Sequence, residues 1–190
     1  MVGPIGETPR RLRLSLVPQR VPKPPHELAD TKTLLLAYLD HYRSIIVDKL
    51  AGLPEAELRR SRLPSGWTPI ELLKHLVFME RRWIQWDFAG EPIDDPWGDN
   101  RNGLREERWY VDPEETVEEL IAALDAGAER TRAIVDTSDL AAPSTVGGRF
   151  RADGPRPTLN WILFHVLQEY ARHAGHLDIA RELADGRTGE

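Results

Sequence analysis

The sequence contains no cysteine among its 190 residues. This absence excludes disulfides, zinc sites built on thiolates and a cysteine nucleophile, so a metal would need His, Asp, Glu or water as ligands, and thiol chemistry would need the sulfur of a bound molecule. No apolar run in the sequence approaches the roughly 18 residues that a membrane helix requires. The formal net charge of −6 argues against a general nucleic-acid binder, whose affinity depends on neutralising phosphates. We therefore expect a cytoplasmic protein that binds neither membranes nor nucleic acids.

Residues 1–29 differ in composition from the rest of the chain. They contain six prolines and five basic residues against two acidic ones, and no stable helix tolerates that density of proline. We expect this segment to be a Pro-rich, basic N-terminal arm that lies on the body of the protein or on a partner subunit. Residues 30–190 then form one domain, since that length is enough to bury a sizeable core.

Apolar residues recur at helical spacing in four segments of the domain, which predicts four helices. The second helix has a strong start signal, because Thr68, Pro69 and Glu71 match a capping box with proline in the first turn. A similar signal at 112–115 predicts the start of the third helix. The predicted helices cover residues 31–51, 68–89, 112–137 and 158–184.

The connection between the second and third helices is long, at 90–112, and rich in Asp, Asn, Gly, Trp and Arg. An extended chain of that length, at roughly 3.3 Å per residue, exceeds the length of a 22-residue helix at about 1.5 Å per residue. The connection can therefore run the full length of a bundle as a crossover. We predict an all-α four-helix bundle with a long crossover between helices two and three, and loops of this kind often cover a functional site.

Four ionisable side chains of the fourth helix fall on one ridge beside its apolar face: His165, Glu169, His173 and His176. Burying unpaired polar groups costs several kcal/mol. A metal ion would remove that cost, since Glu and His four residues apart on a helix can share one ion. The alternative is a rim of hydrogen-bonded residues in which Glu169 pairs with Arg172 or His173.

A further candidate ligand, His75, lies among apolar residues of the second helix. A single histidine on an apolar face is also typical of a hydrogen-bonded core residue, so both interpretations stay open. Glu71 and Glu80, on the same helix, are expected to be surface or capping groups. We expect His26 and His41 to be structural or exposed.

Two motifs carry a resemblance to a known family. Gly66-Trp67-Thr68-Pro69 precedes the helix that bears His75, and residues 169–176 read Glu-Tyr-Ala-Arg-His-Ala-Gly-His. With these two motifs in this order, about residues 30–185 of the chain resemble the DinB/YfiT-like superfamily of metal-binding four-helix bundles. The resemblance is to its uncharacterised actinobacterial branch in particular. The resemblance implies a DinB-like, up-down-down-up bundle, a tendency to form homodimers and a bound divalent metal, often zinc or nickel. The combination of two histidines and one carboxylate is also a ligand set for iron.

The resemblance also implies a ligand set and a chemistry. His75, Glu169 and His173 would be the metal ligands, a set similar to that of the N-terminal domain of mycothiol-dependent maleylpyruvate isomerases, in which a bound low-molecular-weight thiol meets the metal. Two histidines and one carboxylate leave coordination positions open, as in catalytic metal sites. His176 is an alternative ligand in place of Glu169, because a spacing of three residues also allows a shared ion.

Residues near these ligands are candidates for catalysis and cofactor binding. We expect His165, His176 and Arg172 to act in proton transfer or substrate binding, and Trp67, Arg82 and Trp161 to line the cofactor site. Packing roles for the tryptophans and solvated surface positions for the arginines are the alternatives.

The leading hypothesis is a metal-dependent transferase that activates a small thiol, such as mycothiol, toward an electrophilic substrate. A second hypothesis is a non-haem iron oxygenase, which uses the same combination of ligands. A third is a non-catalytic, metal-stabilised bundle that acts in a stress response or in ligand binding.

Overall fold

The computed structural model describes residues 20–189, and the first part of the predicted arm, residues 1–19, lies outside them. The described chain is an all-α bundle, which confirms the predicted fold class. None of its helices is both long enough and apolar enough to span a bilayer. Its elements are α1 (Thr31–Leu50), the single turn α2 (Glu55–Leu58), α3 (Pro69–Glu80) with a π-helical continuation (Arg81–Phe88), a 3₁₀ turn (Arg101–Gly103), α4 (Val117–Asp136) and α5 (Leu159–Asp185).

Contacts along α1 give the directions of two of its neighbours. Lys32, at the start of α1, donates to the carbonyl of Ser138 just after α4 (2.7 Å), and Asp40 farther along pairs with Arg132 of α4. These two helices are therefore antiparallel. The last turn of α1 meets the last turns of α5, where the guanidinium of Arg181 donates to the Ala51 carbonyl (2.7 Å). Helices α1 and α5 therefore run in the same direction.

Aromatic contacts show that α3 and α5 are antiparallel. His75 meets His173 near the middle of both helices, whereas Trp83 in the π-helical segment meets Trp161 in the first turn of α5. The directions of the four long helices are thus up, down, down and up. Since α3 and α4 run the same way, the connection between them must return along the bundle, as the long crossover was expected to do.

The structure corrects the start of α4. The helix begins at Val117 rather than near Asp112, and its capping box is formed by Thr116 and Glu119. The segment that resembled a helix start is a separate turn in which the Glu115 carboxylate accepts from the Asp112 N–H (2.7 Å). The carboxylate of Glu115 also binds Lys74 of α3, so this turn attaches the crossover to the bundle instead of opening the helix.

The second predicted helix has the expected extent but changes its winding. Its last eight residues, Arg81–Phe88, form a π-helix, and the Ala89 N–H correspondingly donates to the Ile84 carbonyl five residues earlier (3.0 Å). Such segments are rare and often occur at functional sites. Within it, Asp87 is fully buried and paired with Arg149 from the loop before α5.

Glu80 is buried, with 2% of its surface exposed, and the expectation that it lies at the surface is wrong. Its carboxylate accepts from Arg43 of α1 (Nε to Oε2, 3.0 Å), from the Tyr170 hydroxyl of α5 (2.6 Å) and from the Thr131 hydroxyl of α4. Burial alone would raise the pKa of Glu80, but the charge and hydrogen bonds of Arg43 hold it below its ordinary value. Each of the four long helices contributes to this one carboxylate.

The described part of the N-terminal segment lies along α1. The backbone N–H of Val21 donates to the Ser44 hydroxyl (3.0 Å), and Nδ1 of His41 lies 2.7 Å from the Val21 carbonyl. His41 is buried, so its role in this fold is structural.

Replacing Glu80 with glutamine should destabilise the protein by roughly 3 to 5 kcal/mol, because it leaves the buried guanidinium of Arg43 without its main counter-charge. Urea denaturation followed by circular dichroism measures the effect. The control is Glu129→Gln, at an exposed position of α4, which should change stability by less than about 0.5 kcal/mol. Equal stability of the two variants would show that the buried network contributes little.

Candidate metal centre

Three side chains from α3 and α5 converge at mid-height in the bundle. His75, Glu169 and His173 each offer one ligand atom within 4.8 Å of the other two. Glu169 and His173 are one turn apart on α5, with the Glu169 Oε2 and His173 Nε2 atoms 3.2 Å apart. The antiparallel packing of α3 on α5 then places His75 against His173, with ring centroids 5.2 Å apart. The structure thus brings together the three residues that the resemblance implied.

The chemistry of this donor set fits a divalent metal ion. Two imidazoles and one carboxylate are ligands of zinc, nickel and iron, and three protein ligands leave coordination positions open. A histidine ligand must be neutral. Burial lowers the pKa of His75, against the opposing effect of a hydrogen bond to Asp99, so its ring is neutral at physiological pH.

The carboxylate of Asp99, in the crossover, orients His75. Its Oδ2 atom lies 3.0 Å from Nδ1 of His75, which leaves Nε2 of that ring directed toward the cluster. Asp99 is 1% exposed. Burial alone would raise the pKa of this carboxyl, but hydrogen bonds from His75 and Arg82 hold it below its ordinary value. A carboxylate behind a metal-binding histidine fixes the tautomer and the orientation of the ring.

Arg82 lies behind Asp99 rather than in a cofactor pocket. Both of its terminal nitrogens donate to the Asp99 carboxylate, one also donates to the Pro96 carbonyl (2.9 Å), and the guanidinium stacks over Trp97 at 4.4 Å. Arg82 is 5% exposed. These contacts occupy the guanidinium within the protein, whereas we expected it to be available to a bound cofactor.

His176 extends the ridge beyond His173. The Nδ1 atoms of these two rings lie 3.3 Å apart, within hydrogen-bond distance, so the Nε2 atom of His173 faces Glu169. Burial is the largest cause of the lowered pKa of His176, and the positive charge of the nearby Arg172 also lowers it. Arg172 is exposed on the same helix, and Trp67 lies beside His176 with ring centroids 6.0 Å apart.

His165 lies at the opposite end of the ridge. Its Nε2 atom is 3.9 Å from Oε1 of Glu169, and its ring stacks on Trp161 at 5.3 Å with an interplanar angle of 5°. Trp83, from the π-helical segment, also contacts it at 4.5 Å. Burial lowers the pKa of His165 against the opposing effect of the Glu169 charge, with a smaller contribution from Arg149 in the same direction as burial, and this lowering favours the neutral imidazole.

Trp109, at the end of the crossover, covers the cluster. Its ring stacks on His75 at a centroid distance of 4.1 Å and meets the edge of His173 at 5.7 Å. A cavity of about 340 Å³ opens beside it, and its lining includes Trp67, Ser65 and Glu71. Neither Trp109 nor Asp99 was predicted at the site. The only signal for them was the unusual length and composition of the crossover.

A protein-family model described as "MST: Mycothiol-S-transferase" matches residues 34–186 of this chain. The matched region contains α1 through α5 except the first three residues of α1, and therefore the whole of the cluster described above. No curated protein matches the chain.

Asp99→Asn should weaken metal binding by about 10- to 100-fold, because the amide cannot hold the His75 ring as the carboxylate does. Competition with a chromophoric chelator measures the affinity for zinc. Asp94→Asn, at an exposed position of the same crossover, is the control and should bind zinc as the unaltered protein does. Unchanged affinity in folded Asp99→Asn protein would exclude the orienting role.

Proposed function

The chain belongs to the mycothiol-S-transferase family, and from this premise we propose that it is a metal-dependent enzyme. The enzyme transfers a small thiol, for which mycothiol is the first candidate, to an electrophilic substrate. The observation that carries the proposal is the cluster of His75, Glu169 and His173 in a chain without cysteine. Such a site has ligands for a metal but no thiol of its own.

His75, Glu169 and His173 would hold the ion. A divalent ion such as zinc or nickel supplies a Lewis acid that keeps the sulfur of a coordinated thiol deprotonated near neutral pH. Asp99 and Arg82 keep the His75 ring in place from the crossover side. His173 is buried and His75 and Glu169 are partly buried, and burial strengthens the electrostatic interactions that these groups would make with a bound thiol.

The two histidines at the ends of the ridge are suited to accept the thiol proton. Both have pKa values lowered by burial, so each has a free nitrogen lone pair at neutral pH. His165 is closer to the Glu169 side of the cluster and His176 to the His173 side. Arg172 is exposed beside His176 and can interact with an anionic group of a bound ligand.

The cavity beside Trp67 and Trp109 is suited to the hydroxyl-rich part of a sugar thiol. It has a volume of about 340 Å³, and Ser65, Glu71 and Arg108 are among its lining residues. Trp109 connects it to the cluster through its stacking on His75. Hydrogen-bonding side chains beside an aromatic wall favour a polar ligand with several hydroxyl groups.

His173→Ala should reduce bound metal by at least about tenfold, because it removes a ligand from a site with only three. Elemental analysis of the purified protein measures this change, and consumption of mycothiol in the presence of an alkyl chloride should decrease with it. His26→Ala is the control, since His26 is exposed and belongs to the N-terminal segment.

Full thiol transfer by metal-free His173→Ala protein would contradict the proposal. Oxygen consumption by the iron-loaded protein, with no consumption of mycothiol, would favour the oxygenase that uses the same type of ligand set.

A further inference from the structure

A second, larger cavity lies between α1 and α5, on the side of α5 next to the metal cluster. Its volume is about 460 Å³, within the range of cavities that hold small molecules. We call it the aromatic groove. The described residues that line it carry no charged side chain, and six of them matter for the argument: Tyr38, Tyr42, Trp161, Phe164, His165 and Gln168.

The walls of the aromatic groove expose large aromatic side chains to solvent. Trp161 and Phe164 are each 53% exposed, although most large apolar side chains of the described chain are buried in its core. Adjacent exposed aromatic surface around a concavity is typical of a binding site. Because the lining is uncharged, the groove favours a neutral and largely apolar occupant.

His165 separates the aromatic groove from the metal cluster. At about 100° per residue of α-helix, Trp161, Phe164 and Gln168 lie on one side of His165 around α5, whereas Glu169 and His173 lie on the other. His165 stacks on Trp161, and its Nε2 atom is 3.9 Å from the Glu169 carboxylate. A molecule in the groove is therefore one imidazole ring away from the proposed metal ligands.

We propose that the aromatic groove binds the electrophilic substrate, and that this substrate is an uncharged molecule built on an aromatic or similarly apolar ring. This inference rests on the proposed thiol-transferase function. The polar cavity at Trp67 and Trp109 lies near the His176 end of the ridge, and the aromatic groove lies at the His165 end. The two reactants thus approach the cluster from different ends.

The reaction with an arylmethyl chloride balances as a substitution. A sulfur lone pair forms a carbon–sulfur bond with the benzylic carbon, and the carbon–chlorine bond breaks with both electrons leaving on chloride. The thiol proton passes to a neutral imidazole of the ridge and then to solvent. The products are a thioether, chloride and a proton, and neither an oxidant nor a reductant takes part.

Two substrates with the same leaving group test the groove: 4-nitrobenzyl chloride, which is aromatic, and 2-chloroacetamide, which is small and polar. Two variants alter the groove in opposite ways. Phe164→Ser removes one of the exposed aromatic side chains of the wall, and Ala171→Leu adds bulk at another lining position. Ile179→Ser, at a position of α5 that is 49% exposed and is not among the groove's lining residues, is the matched control.

Each groove variant should raise KM for 4-nitrobenzyl chloride by about tenfold, as expected for altered apolar contacts in a substrate pocket. The effect on 2-chloroacetamide, which has no ring to contact the aromatic walls, should be much smaller, and the affinity for mycothiol and the metal content should not change. Equilibrium dialysis with the unreactive 4-nitrobenzyl alcohol should show a matching loss of affinity, independent of catalysis. Ile179→Ser should behave as the unaltered protein in every assay.

Several results would overturn the inference: no binding of the alcohol by the full chain, an equal effect of the variants on both chlorides, or conversion of a dimer to a monomer by Phe164→Ser in light scattering. The last result would make this face a subunit interface. A different pair of results would refute the transferase function but support the groove as a site for apolar aromatic molecules. The alcohol would bind in a way that depends on Phe164 and Ala171, and no mycothiol would be consumed in the presence of either chloride.

Discussion

The hydrogen bonds that converge on the buried carboxylate of Glu80 set the register on which the rest of the bundle depends. A buried carboxylate is stable only if its lost hydration is replaced by charge and hydrogen bonds, and the donors come from Arg43, Thr131 and Tyr170 on three other helices. Tyr170 directly follows the candidate ligand Glu169. A shift of α3 against α5 would therefore separate the candidate ligands and leave Glu80 unsatisfied at the same time.

The crossover adds a second buried ion pair, which acts on the site itself. Asp99 must approach the middle of α3 to reach His75, and Arg82, from the first turn of the π-helical segment, compensates its charge. A change from α to π winding alters the directions in which the following side chains point. The segment presents Arg82 toward the crossover, where it binds the Asp99 carboxylate behind His75, and Trp83 toward His165. One stretch of chain therefore contacts both the residues that hold His75 and the His165 end of the ridge.

Features that depend on local chain chemistry could be predicted from the sequence, and those that depend on the path of a loop could not. Helical periodicity and the capping box at Thr68 predicted the combined extent of α3 and its π-helical continuation, and the spacing of Glu169 and His173 placed them on one ridge. The start of α4 was misplaced because the turn at Asp112 uses the same residue types as a helix cap. Asp99 and Trp109 have no periodic pattern, since only the folded crossover brings them to His75. The burial of Glu80 likewise depends on partners from three other helices.

The absence of cysteine has a direct consequence for the proposed metal site, whose three protein ligands would leave coordination positions open. A thiolate is a strong metal ligand, so a cysteine near the cluster would compete with a bound thiol for those positions. In this chain the donors described around the cluster are imidazoles and carboxylates, and because the sequence has no cysteine, a thiol there must come from a bound molecule. In the proposed reaction, the uncharged groove at the His165 end and the polar cavity at Trp67 would allow two chemically different molecules to approach one cluster without competing for the same surface.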